Sequence, residues 1–186
     1  MPRAAPGEEN AIVAGLRAGD PEALRRVVEL YQGRIFALIY GIVRDSHEVE
    51  DIAQEVFLKV FTRIAAFDGR SSLYTWLYRV AANAAKDHLK RRSRRPALPL
   101  EDEAAIRDEG EGPAGSAEKE ERRRLVREAI AALPTRYRTI LVLRELEGLA
   151  YSEIAAVLEI SEGTVESRLH RARARLKRSL ESHAHG

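Results

Sequence analysis

Apolar residues recur at helical spacing from Leu24 onward. Leu24, Val27, Val28, Tyr31, Ile35, Leu38, Ile39 and Ile42 fall on one face of a helix predicted to run to about Arg44. Asp20-Pro21 starts it, with an aspartate N-cap ahead of a proline whose missing N–H costs nothing at the first helical position. A second helix opens at Ser46. Its core stripe is Val49, Ile52, Ala53, Val56, Val60 and Ile64, while Glu48, Asp51, Gln54, Glu55 and Leu58 fall on another face as an exposed acidic stripe. The turn-rich Phe67-Asp-Gly-Arg-Ser-Ser72 separates it from a third helix reaching about Arg92, with Ser71 or Ser72 as its cap and Leu73, Leu77, Val80, Ala81 and Ala84 packed inward.

The pattern resumes at Glu118 to Ala132, stops before Pro134, and restarts at Thr135, read as the cap of a helix that carries Tyr137, Ile140, Leu141, Leu143 and Leu146 and closes at Gly148. Tyr151–Leu158 then reads as a short helix, 159–162 as a turn and Gly163–Arg178 as a second helix, which together make a helix-turn-helix. Val165, Leu169, Ala172, Leu176 and Leu180 line the buried face of the second helix, and Ser161 is placed to cap it. The expected fold is all-α, with two small helical domains at 10–95 and 118–182. Residues 96–117 join them, and the stretch from Arg95 to Ala117 combines three Pro, three Gly and many acids with too few apolar residues to offset ordering entropy. The expectation is a flexible acidic linker, with a reach of tens of ångströms at roughly 5–6 Å × √n.

Charge divides the chain the same way. The 186 residues carry a net charge of only +2. Residues 1–69 hold 8 basic and 11 acidic side chains, 70–95 hold 8 and 1, 96–121 hold 2 and 9, and 122–186 hold 13 and 8. Two electropositive segments flanking an acidic one suit a polyanionic partner, with solvated helix faces as the plainer alternative. The longest apolar run, Ile35–Val43, is 9 residues, half of the ~18 that suggest a membrane span, so no membrane insertion is expected. The absence of cysteine removes disulfides and thiolate metal sites, and the first residues lack the apolar core of a secretory signal, so a cytoplasmic location is expected. Among His47, His88, His170, His183 and His185 only the His183-Ala-His185 tail approaches metal-ligand spacing, and that tail is expected to be disordered. No nucleophile–base pair or phosphate-binding glycine loop is present. No enzyme activity, cofactor or metal is expected.

Two stretches carry candidate nucleic-acid chemistry. Tyr74, Trp76 and Tyr78 are interleaved with Thr75, Arg79, Asn83, Lys86 and Lys90. Such a mixture suits single-stranded nucleic acid, whose bases stack on rings while cations follow the phosphates. The alternative is that Trp76 and one Tyr are core anchors. On the second helix of the helix-turn-helix, Ser167, His170 and Arg171 are placed for base edges and Arg168, Arg173 and Arg175 for phosphates, while Glu166 is suited to a cytosine amino group. A basic amphipathic helix used for protein contact is the competing reading.

Three stretches, Asp51-Ile-Ala-Gln-Glu-Val-Phe57, Phe67 through Asn83, and Gly163 through Arg173, together resemble bacterial sigma factors of the extracytoplasmic-function branch, in the same order along the chain. The resemblance spans about 10–95 and 118–181. It implies an initiation factor that binds core RNA polymerase and directs it to promoter DNA, and that is commonly held by an anti-sigma factor. Asp51, Gln54, Glu55 and Leu58 would dock on polymerase. Phe67, Asp68, Gly69, Arg70, Ser71, Ser72, Tyr74, Trp76, Arg79, Asn83 and Lys86 would open and read the −10 element. Thr164, Glu166, Ser167, Arg168, His170, Arg171, Arg173 and Arg175 would read the −35 element. Glu166 departs from the Lys or Arg of many members. The alternative function is a stand-alone helix-turn-helix regulator that binds duplex DNA as a dimer.

Overall fold

The computed structural model describes residues 4–94 and 116–184, and among them every regular element is helical. The expected linker falls mostly on residues 95–115, outside the described residues. Four helices form the first domain: α1 (Pro6–Arg17), α2 (Pro21–Val43), α3 (Ser46–Arg63) and α4 (Leu73–Arg92). A 3-10 turn at Ile64–Ala66 follows α3. Asp20 caps α2 through its side chain, which accepts from the Glu22 N–H at 2.9 Å. Ser72 caps α4 by accepting from the Thr75 N–H at 3.1 Å. Helix α2 runs through the centre and packs on α1, α3 and α4, with Val27, Tyr31, Ile35, Leu38, Ile39 and Ile42 fully buried. All six expected core residues of the α3 stripe are buried as well.

The second domain holds α5 (Ser116–Ala131), α6 (Thr135–Leu141), a π-helical turn at Val142–Leu146, α7 (Tyr151–Leu158) and α8 (Glu162–Ala184). Helix α8 packs on α5, α6 and α7 through Val165, Leu169 and Ala172. Thr135 does not cap α6. Pro134 occupies the cap position and makes no side-chain bond, so Thr135 is the first helical residue. His183 belongs to α8 rather than to a disordered tail, and His185 lies outside the described residues.

The domains dock on one another, α2 against α6 and the π turn, and α4 against α7. Arg138 links them from α6. Its Nη1 donates to the Ile42 carbonyl at 2.7 Å, and its Nη2 donates to the carbonyls of Ala131 and Leu133 at 2.7 and 3.1 Å. One guanidinium thus satisfies carbonyls at the C-terminal ends of two helices in different domains, where a cation is also favoured by the helix dipole.

Candidate nucleic-acid interface

On α3, Asp51, Gln54 and Leu58 point to solvent, and Leu58 is 62% exposed, as is Leu146 in the second domain. Glu55 is half-buried and accepts an ion pair from Lys59 Nζ at 2.5 Å; that hydrogen bond holds its carboxyl below the ordinary range. Glu48 leaves the expected stripe. It sits in the first turn of α3 opposite the last turns of α4, where it pairs with His88 Nε2 and accepts from Arg92 Nη1 at 3.3 Å, while Asp45 accepts from the same Arg92 nitrogen at 2.8 Å. The exposed surface is therefore Asp51, Gln54 and Leu58, with Glu55 at its edge.

The loop between α3 and α4 is built on Phe67, whose ring is buried against Trp76 at 5.5 Å between centroids. Asp68 closes a tight turn by accepting from the Arg70 N–H at 3.0 Å and from its Nε at 2.6 Å, bonds that keep its carboxyl below the usual value. Gly69 adopts φ +73°, which a side chain would strain. Both flanks of the loop are held by α1. Arg17 Nη2 donates to the Phe67 carbonyl at 2.8 Å, and Glu9 accepts from the Leu73 N–H at 2.8 Å. Glu9 and Arg17 are absent from the candidates drawn from sequence. Ile12, Val13 and Leu16, buried at helical spacing behind Pro6, are the signal that would have marked α1, a helix the sequence reading did not draw.

Helix α4 sorts its candidates into two groups. Tyr74 and Trp76 are 1% and 5% exposed, so neither ring presents a face to a base in this arrangement. Tyr74 lies between Tyr31 and Tyr78, at 6.1 and 4.3 Å between centroids, in an aromatic file at the domain core. Arg79, Asn83 and Lys86 share the other face. Asn83 is exposed. Arg79 Nη1 reaches Glu159 at 3.3 Å, across the domain boundary. Lys86 is partly buried; burial lowers its pKa and Arg168 adds to this, while Asp87 and Glu159 oppose it.

The helix-turn-helix is closed by Glu159, the left-handed residue at the end of α7 (φ 54°), and by Ser161, whose Oγ accepts from the Thr164 N–H at 3.2 Å. Along α8, Glu166, Ser167, His170, Arg171, Arg173 and Arg175 are exposed, whereas Thr164 and Arg168 are half-buried. Ser167 Oγ donates to the Thr164 carbonyl at 3.1 Å. Two of the phosphate candidates are held within the domain. Arg173 donates from Nε and Nη2 to Glu145 at 3.1 and 2.7 Å, and the Arg175 guanidinium lies 5.1 Å from the Tyr137 ring centroid. A groove between α7 and α8 is lined by Tyr151, Glu166, His170, Arg173 and Lys177. Among the described residues no group of three or more His, Cys, Asp or Glu side chains is arranged to hold a metal ion, and no helix is long and apolar enough to cross a membrane.

Comparison with known proteins supplies the family. Residues 27–95 match Sigma-70 region 2, and residues 123–176 match Sigma-70 region 4. The chain is 39% identical to the RNA polymerase sigma-H factor of Pseudomonas aeruginosa, over 94% of each chain. It is 38% identical to the ECF RNA polymerase sigma-E factor of Escherichia coli, over 89% of this chain and 90% of that one. Among solved structures, CnrH in complex with the cytosolic domain of CnrY superposes with a TM-score of 0.69 at 25% identity, covering 94% of this chain and 97% of that one. RpoE of Bartonella quintana, in complex with the anti-sigma factor NepR, shares the fold with a TM-score of 0.67 at 20% identity, covering 84% and 96%. With both regions matched in order and relatives of this similarity spanning nearly its whole length, the chain belongs to the sigma-70 family, in the extracytoplasmic-function branch of factors that direct promoter-specific transcription initiation.

Proposed function

We propose a division of labour among three surfaces. Asp51, Gln54 and Leu58, with Glu55 at their edge, dock on core RNA polymerase. The Phe67–Ser72 loop and the Arg79, Asn83 and Lys86 face of α4 open and read the −10 element. Thr164, Glu166, Ser167, His170 and Arg171 read the −35 element in the major groove, while Arg168, Arg173 and Arg175 hold phosphates. The protein works in the cytoplasm without chemistry of its own, and a partner of the anti-sigma kind restrains it, as NepR is bound to RpoE of the same fold.

The observation that carries this reading is the exposed pairing of Leu58 with Asp51 and Gln54 on α3, inside the stretch that matches region 2. A large apolar side chain ringed by acids and amides marks a surface built for a basic, partly apolar partner. A stand-alone regulator of duplex DNA has no use for that surface. Run-off transcription with added core polymerase across a promoter library tests the whole assignment, and initiation is expected only when both components are present. Asp51→Arg is expected to weaken core binding at least tenfold with an unchanged melting midpoint. Unchanged affinity would sink the docking assignment.

A further inference from the structure

We infer that the seam between α2, α5 and α6 holds a binding site for a small oxyanion of the diphosphate class, formed by Arg44, Arg127 and Arg138. The site uses none of the residues assigned to polymerase or to promoter DNA, so it stands or falls separately from those assignments.

Three helices bring the arginines together. Arg138 comes from α6, and its hydrogen bonds fix the place of its guanidinium, with Nη1 on the Ile42 carbonyl at 2.7 Å and Nη2 on the Ala131 and Leu133 carbonyls at 2.7 and 3.1 Å. Ile42 lies at the end of α2 just before Arg44, and Ala131 lies one turn beyond Arg127 at the end of α5. All three arginines are partly buried. Burial lowers the pKa of Arg44 and of Arg138, and a neighbouring guanidinium lowers each further, Arg127 for Arg44 and Arg44 for Arg138. A guanidinium keeps its proton even so at neutral pH. Like charges drawn partly out of water to one place cost free energy unless an anion joins them.

Among the described residues no carboxylate pairs with Arg44 or Arg138. The Arg44 guanidinium lies 5.0 Å from the Tyr40 ring centroid, and the partners of Arg138 are neutral carbonyls. Arg138 Nε is buried without an acceptor, a kind of donor that proteins seldom leave unmet. Helix dipoles account for Arg138, which serves the ends of both α2 and α5. They do not account for Arg44 as well. Position 44 ends α2 in the left-handed region at φ 65°, where glycine is the usual residue, so a side chain is carried there at a cost to the backbone. The planar fork of each guanidinium matches two oxygens of a phosphate. A chloride or a carboxylate brings a single charge to this cluster, whereas a diphosphate brings several on adjacent groups and can face all three arginines.

Thermal unfolding of the full chain in pyrophosphate, compared with sodium chloride at matched ionic strength, reads occupancy. Millimolar pyrophosphate is expected to raise the melting midpoint by ~2 °C or more, since a ligand of the folded state alone stabilises it. Orthophosphate should do less. Adenosine diphosphate separates the sources: an equal gain means that paired phosphates are read when carried on a nucleotide, and a gain confined to pyrophosphate identifies the free ion. Arg44→Gln relieves repulsion, so its midpoint without pyrophosphate is expected to hold or rise while the gain disappears; a purely structural arginine would lower it. Arg127→Gln should also lose the gain, and Arg44→Lys, which keeps the charge but not the fork, should retain part of it. Arg178→Gln, exposed on α8, controls for other cations of the chain and should retain all of it. No gain in the unaltered chain overturns the site. An equal gain in Arg44→Gln and Arg127→Gln also overturns it, as a general salt effect. If the two variants instead weaken binding to duplex DNA of unrelated sequence while pyrophosphate does nothing, the cluster serves a nucleic-acid backbone and the diphosphate site falls.

Discussion

The Tyr78 hydroxyl and the Glu147 carboxylate meet at 2.5 Å across the boundary between the two domains, 69 residues apart in sequence. Burial pushes the Glu147 pKa up, opposed by the hydrogen bond from Tyr78 and by the charge of Arg34. Docking therefore favours the protonated acid. The contribution is fully present below the ordinary carboxylate value and is lost as pH rises through the raised value of the docked state. Interdomain distance, followed by energy transfer between dyes on introduced cysteines, is expected to shift toward the open form as pH rises out of the acid range. Glu147→Gln keeps an acceptor for Tyr78 and should flatten that dependence. Tyr78→Phe should weaken docking by about 1–3 kcal/mol, because it leaves a buried carboxylate without its donor.

Helix α1 yields a second prediction. Arg17 holds the carbonyl of Phe67 and Glu9 holds the N–H of Leu73, so the loop proposed to read the −10 element is fixed at both flanks by a helix outside it. Arg17→Ala is expected to lower open-complex formation several-fold while core binding stays unchanged. Arg17→Lys, which keeps a donor but not the fork, should restore part of the loss. A proportional fall in core binding would show that α1 supports the fold as a whole and not the loop.

The Ser72 cap isolates a stability effect. Its Oγ accepts from the Thr75 N–H at 3.1 Å and meets the Thr75 hydroxyl at 2.9 Å. Ser72→Ala should cost about 1 kcal/mol in urea unfolding. Ser72→Asp keeps an acceptor beside the positive helix end and should cost less.

These sites differ in how far the sequence announced them. The stripes of α2, α3 and α8, the Ser72 and Ser161 caps and the turn between α7 and α8 are local, set by spacings of three and four residues and by one capping side chain, and they lie where the pattern put them. Aromatic residues are ambiguous in that pattern. Tyr74 and Trp76 have the composition of a stacking platform and the burial of a core, and only the partners Tyr31 and Phe67, distant in sequence, decide between the two. Glu48 looked like its neighbours on α3 until the end of α4 brought His88 and Arg92 to it. The domain contact depends wholly on such distant pairs. Nothing local marks Gly41 in the interior of α2, because the neighbour that a Cβ there would meet, Val142, lies in the other domain.

Arg173 and Glu145 give a prediction about duplex binding. Both side chains are 50% exposed, so the pair adds little to stability and its loss should not move the melting midpoint measurably. Its effect falls on DNA. Glu145 occupies the guanidinium proposed to hold a phosphate, and Glu145→Ala should raise affinity for duplex DNA a few-fold by freeing it and by removing a negative charge from the site. The gain should be the same on unrelated sequences, since a phosphate contact carries no base information.

Glu166 separates base reading from backbone contact within α8. It is exposed, lies one turn before His170 on the same helix, and lines the groove with His170 and Arg173. A carboxylate among phosphates repels them, whereas one set against a base edge accepts from a cytosine amino group and discriminates by about 1–3 kcal/mol. The two roles leave different signatures when Glu166→Ala removes both the charge and the acceptor. Loss of a purely repulsive group would strengthen binding on every duplex and change the salt dependence. Loss of a base contact would relax preference at one base pair of the −35 element and leave the other positions as they were. The second outcome is expected, because the residue sits near the N-terminal end of the recognition helix, the part that enters the major groove. Selection from a randomised duplex pool, carried out in parallel on the unaltered chain and Glu166→Ala, reads both signatures in one experiment; uniformly tighter binding with an unchanged selected sequence would remove Glu166 from the reading set.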